Sequence, residues 1–169
     1  MSATYGLITL VVMILIIMAI PVSIAGITYL MRKSKRNTIM QTLPEGVTYT
    51  VPVRLNTPKK NDAIMKMKAF EFIGILYVVG NIVYIKGPKP NQLYQYDLQT
   101  SAINWVGTQA QNGLIQWFAL RDASGNTLYV NGETGLFIFR IGRSFPSTRE
   151  IYEYLFKLQV AVNAGVTNR

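Results

Sequence analysis

Residues Gly6 to Leu30 carry no charged side chain, and four cations, Arg32, Lys33, Lys35 and Arg36, close the run. At 1.5 Å per residue, about 20 apolar residues cross the ~30 Å hydrocarbon layer of a bilayer, so the pattern predicts one membrane-crossing helix over residues 6–31. Basic residues beside such a segment stay on the cytoplasmic side, and residues 1–5 carry no charged side chain. The expectation is a single-pass protein of the inner (plasma) membrane, with a short N-terminus outside and the remainder in the cytoplasm. A cleaved secretory signal is the competing reading, with Ser23 and Ala25 as a small-x-small cleavage pattern. Against it, no basic side chain precedes the run, the run exceeds a usual signal core, and the basic cluster follows it.

Within the run, Ala19, Ser23 and Gly26 recur at i, i+4 and i+7 and share one helix face. Helices in lipid associate by close backbone approach across such small residues, which makes this face a candidate docking surface.

The chain carries 17 Lys and Arg against 8 Asp and Glu, net +9, and removing the four flanking cations leaves 13 against 8. Such an excess suits a domain beside an anionic leaflet. The basic residues are scattered and form no nucleic-acid module, so no nucleic-acid partner is expected. Cysteine and histidine are both missing. Disulfides, thiolate metal sites, Cys nucleophiles and imidazole acid–base chemistry are thereby excluded. With no nucleophile elbow, phosphate loop or dinucleotide fingerprint either, the chain is expected to be no enzyme and to carry no cofactor, metal or catalytic residue.

After a basic connector over residues 32–46, one domain is expected at 47–165, followed by a tail at 166–169. Val47, Tyr49, Val51, Val53 and Leu55 alternate with polar residues and predict a strand, with Pro52 placing it at a sheet edge or marking a bulge. Alternation returns at Met65 to Ala69 and slips near Phe70. Gly74 to Val79 and Ile82 to Lys86 flank Gly80-Asn81, a two-residue hairpin loop. Further strands are predicted at 93–98, 103–106, 114–121, 127–130 and 136–141. Ser147 and Glu150 then form a capping box for a helix over 147–163, whose Ile151, Tyr154, Leu155, Leu158 and Val162 make an apolar stripe.

The fold class is thus mainly β, an antiparallel barrel or sandwich of seven or eight strands closed by a C-terminal amphipathic helix. Residues 70–156, chiefly Gly74-Ile-Leu-Tyr-Val-Val-Gly80-Asn-Ile-Val-Tyr-Ile, Trp117-Phe-Ala-Leu-Arg-Asp and Ser147-Thr-Arg-Glu-Ile-Tyr-Glu-Tyr-Leu, resemble the pleckstrin-homology-like superfold. That resemblance implies two near-orthogonal sheets with the helix plugging one end. Lipid-binding members carry a basic first loop. If 74–86 is the first hairpin, its Gly80-Asn81 loop has no cation; if 47–55 is the first strand, Lys59, Lys60, Lys66 and Lys68 stand in the corresponding place. The terminal helix lacks the tryptophan many members carry there.

Two functions follow as expectations. The first is a non-catalytic accessory or scaffold subunit of a multi-subunit membrane complex, such as a respiratory or photosynthetic electron-transfer machine. Its partners would be integral membrane subunits contacted through Ala19, Ser23 and Gly26. The second is an adaptor or sensor whose Lys59, Lys60, Lys66 and Lys68 contact anionic lipids.

Overall fold

The computed structural model describes residues 2–58, 70–108, 115–133 and 145–165, with the side chains at 2–4, 18, 21, 22 and 25 left out. The alternating segment Met65 to Ala69, the strand expected at 136–141 and the tail at 166–169 lie outside the described residues. A helix, α1 (Ser2–Met40), leads into seven strands: β1 (Tyr49–Asn56), β2 (Phe72–Val79), β3 (Ile82–Lys86), β4 (Leu93–Asp97), β5 (Ala102–Gly107), β6 (Trp117–Arg121) and β7 (Thr127–Gly132). A second helix, α2 (Thr148–Asn163), follows.

All pairings are antiparallel, and the strands form one sheet in the order β4-β3-β2-β1-β7-β6-β5. The strand count and the C-terminal helix agree with the sequence. The two near-orthogonal sheets of a pleckstrin-homology-like barrel do not: the described strands make a single continuous sheet with β4 and β5 at its edges.

The inner face carries Val51, Val53 and Leu55 of β1, Leu76 and Val78 of β2, Phe118 and Leu120 of β6, and Leu128 and Val130 of β7. These side chains close on Ile151, Leu155 and Val162 of α2, so the predicted stripe covers the core as its period requires. Each such burial contributes about 1.5–3 kcal/mol. Capping starts α2 where the sequence places it. The Ser147 side chain accepts from the Glu150 amide at 3.2 Å, and the Ser147 amide donates to the Glu150 carboxylate at 2.6 Å.

Pro52 misleads the sequence reading. Its strand is the central one, hydrogen-bonded to both β2 and β7, and not an edge. The β1–β7 register ends at Val53 opposite Gly132, and beyond it the Glu133 amide donates to the Pro52 carbonyl at 3.0 Å. The reciprocal bond would need the N–H that proline lacks. Among the described residues, proline therefore sits where this ladder ends, and the β2 side of the strand is undisturbed.

The outer face of β2 is covered by the end of α1 and the segment behind it. Ile39 packs with Ile75 and Tyr77, flanked by Leu43, Val47, Val79 and Tyr84. Lys86 of β3 donates to the Thr42 carbonyl at 3.2 Å and hydroxyl at 2.9 Å, fastening that segment.

Helix α1 requires the largest correction. Among the described residues, no helix is long and apolar enough to cross a membrane. This overturns the expected single-pass anchor at 6–31, and with it the assignment to a plasma membrane with the N-terminus outside. The helix also runs unbroken through Arg32, Lys33, Lys35 and Arg36 to Met40, so residues 32–40 of the expected connector are helical and the helix end packs on the domain.

Gly132 permits the closest approach of sheet and helix. A Cβ there would stand 2.8 Å from Ile151 Cδ1, 3.1 Å from the Pro146 carbonyl oxygen and 3.2 Å from the Thr148 amide nitrogen, whereas one at Gly26 meets nothing within 4 Å. Gly132→Ala is expected to destabilise the fold by about 1–3 kcal/mol. Gly26→Ala, in an open helix interior, should cost nothing. Urea midpoints of the two variants test this, and equal midpoints would refute the close packing.

Candidate functional site

Two features stand out, an apolar flank and a buried charge cluster, and α1 carries both. From Tyr5 to Met31 its large apolar side chains, including Leu7, Ile8, Leu10, Ile14, Ile17, Ile24, Ile27 and Leu30, are 48–68% exposed. Apolar residues face every side of the helix there, an arrangement expected of a helix buried all round. Ala19 and Ser23 are exposed and Gly26 is half-buried, with no atom of the chain near the place a Cβ would occupy. The small-residue face is thus open to an external surface.

The four cations after the run separate in role. Lys33 and Lys35 are exposed, and Arg32 is half-buried with its guanidinium 4.8 Å from the Phe70 ring centre. Arg36 is buried and donates to Glu133 Oε2 at 2.9 Å, while Glu133 itself has no exposed surface. The Arg36 guanidinium also stands 5.5 Å from the Phe145 ring and 6.0 Å from the Tyr29 ring, contacts that help to hold a desolvated cation.

Arg54 joins the cluster from β1, 99% out of solvent and 5.1 Å from the Phe70 ring centre. Burial pushes its guanidinium down to about 10; Glu133 acts in the opposite direction, and Arg32 and Arg36 add to the fall. Sequence reasoning missed Arg54 and Glu133 as buried charges. Arg54 occupies the polar phase of an alternating strand, where a cation reads as solvent-facing, and Glu133 sits in a stretch rich in glycine and asparagine that reads as a turn. A charged residue between Val53 and Leu55 in a strand that also carries Pro52 was the one available signal.

Lys59, Lys60, Lys66 and Lys68 lie outside the described residues, so the structure brings no lipid-binding loop into view. Among the described residues, no group of three or more His, Cys, Asp and Glu side chains could hold a metal ion.

A third locus is aromatic. Tyr49 of β1 stacks on Tyr154 of α2 with ring centres 4.1 Å apart, while Trp105, Tyr152 and Phe156 form a chain that Arg149 caps at 5.1 Å from Trp105. Burial, aided by Tyr154 and Glu150, pushes the Tyr49 phenol up to about 12. These rings join helix to sheet.

Comparison with protein-family models, curated proteins and solved structures finds no match to this chain. The resemblance to the pleckstrin-homology-like superfold is thereby left without support from any relative as well as from the sheet arrangement.

Two outcomes follow from this chemistry. Removing one partner of a buried ion pair strands the other charge, so Glu133→Gln or Arg36→Met should each cost about 3–5 kcal/mol. The double variant Arg36→Met/Glu133→Gln should lose less than the sum of the two single losses; thermal unfolding reads all three, and additive losses would refute the coupling. For Tyr49, the native phenol keeps its proton above pH 10, where the unfolded chain has released it. Its stabilising contribution is whole below pH 10 and is lost as pH rises towards 12. Tyr49→Phe should therefore flatten the fall in stability between pH 10 and 12, and an unchanged slope would contradict the assignment.

Proposed function

We propose that this chain is a non-catalytic accessory or scaffold subunit of a multi-subunit assembly, docking through the apolar flank of α1 and presenting its β domain as a rigid platform. The observation that carries this reading is the all-round exposure of large apolar side chains between Tyr5 and Met31. Exposed apolar patches beyond a few hundred Å² mark interaction surfaces, because water leaves such area at about 25 cal/mol per Å². The open face at Ala19, Ser23 and Gly26 supports close approach by a partner helix. Integral membrane subunits are the partner class whose helices offer a matching apolar surface. The sequence adds support from chemistry: it contains neither histidine nor cysteine.

Gly26→Leu and Ser23→Leu place bulk on the open face, and among the described residues nothing stands within 4 Å of the place a Cβ at Gly26 would occupy. Each is expected to leave the domain folded and to cut recovery with partner subunits at least tenfold after gentle purification of the tagged protein. Full stoichiometric recovery of the same companions with both variants would remove this face as the dock.

A further inference from the structure

Where α1 meets the outer face of the sheet, a cavity of about 280 Å³ opens beside Arg36. Its helix wall is cationic and polar, with Lys33, Arg36 and Asn37; its floor and end are apolar, with Ile75 of β2, Met40 and Phe145. No acidic residue lines it among the described residues. Glu133 is the acidic group closest in role, and it is engaged by Arg36 Nη1 at 2.9 Å. Lys33 makes no ion pair among the described residues and supplies the uncompensated charge at the rim. The Arg36 guanidinium offers five N–H donors in a fixed fork, and Glu133 Oε2 takes a bond from only one of its nitrogens.

From this arrangement we propose that the cavity is a binding site for a small amphipathic anion, a carboxylate or phosphate head on a short apolar body. The head lies against Lys33 and Arg36, and the body covers Ile75 and Phe145. Neither half of the ligand suffices alone. A bare anion leaves the apolar floor in contact with water, and an uncharged amphiphile leaves the Lys33 ammonium without a counter-charge. The volume limits the body to a few carbons, at the small end of the range for ligand pockets.

Met40 lines the cavity and is partly exposed, so its methyl group reports occupancy directly. The experiment titrates the full chain, with 13C-labelled methionine methyls assigned through Met40→Leu, against hexanoate, hexyl phosphate, hexanol and inorganic phosphate. Saturable shifts of the Met40 methyl are expected with hexanoate or hexyl phosphate, and the stronger of the two identifies the head group. Hexanol and inorganic phosphate should each bind at least tenfold more weakly. Lys33→Gln, at an exposed position that leaves the fold intact, should weaken binding at least fivefold, while Lys33→Arg retains it. Non-saturating shifts, equal affinity for hexanol or inorganic phosphate, or identical affinities for the native chain and Lys33→Gln would each overturn the proposal.

Discussion

Burial of the central strand on both faces governs how this molecule is built. From Val51 to Asn56 every residue of β1 is buried, so the sheet needs a cover on each side. The inner cover is α2, supplied by the apolar stripe at Ile151, Leu155 and Val162. The outer cover is the end of α1, which brings Ile39 over Ile75 and Tyr77. A cation on the outer face of β1 cannot reach water under such a cover. Arg54 is held instead within a cluster that contains a buried carboxylate, and its lowered affinity for a proton records what the burial costs.

Three consecutive residues at the end of β7 fasten both covers. Asn131 Nδ2 donates to the Thr148 hydroxyl at 2.8 Å and to the Gln116 carbonyl at 2.9 Å, and the Gly132 amide donates to the same hydroxyl at 3.0 Å. These bonds tie the first turn of α2 to the sheet. One residue further on, the Glu133 amide extends the ladder to Pro52 while its carboxylate holds Arg36 of α1. The two helices are thus positioned from one short segment, and a glycine between two polar residues is what lets α2 come close enough.

Much of this was legible where local rules act alone. The Gly80-Asn81 hairpin pairs Val79 with Ile82, with Gly80 at a φ of 56°, and the Ser147–Glu150 capping box forms as the residues specify. What escaped the sequence depends on partners far along the chain. Pro52 excludes a hydrogen bond on one side only, and nothing local says that β7 ends opposite it. The Arg36–Glu133 pair joins residues 97 positions apart, and neither carries a local mark of burial. The basic cluster after the apolar run was read as a boundary because charge usually marks solvent. In the folded chain it divides by helical phase, with Arg36 turned into the domain, Lys33 exposed at the rim of the cavity beside it and Lys35 turned out.

Helix α1 consequently behaves as two bodies joined without a break. Its last two turns are held by a buried ion pair, aromatic contacts to Arg32 and Arg36, and the Ile39 cluster, while the turns before Tyr29 leave their apolar surface open. A helix anchored at one end by packed and charged contacts has little freedom to swing, so a surface that covers its open turns also fixes the direction in which the β domain points. Flexible tethering would require a break between the two parts, such as glycines or a non-helical linker. The chain has helix there instead, so under the proposed docking the orientation of the β domain is set by the ion pair, ring contacts and Ile39 cluster that hold the end of α1.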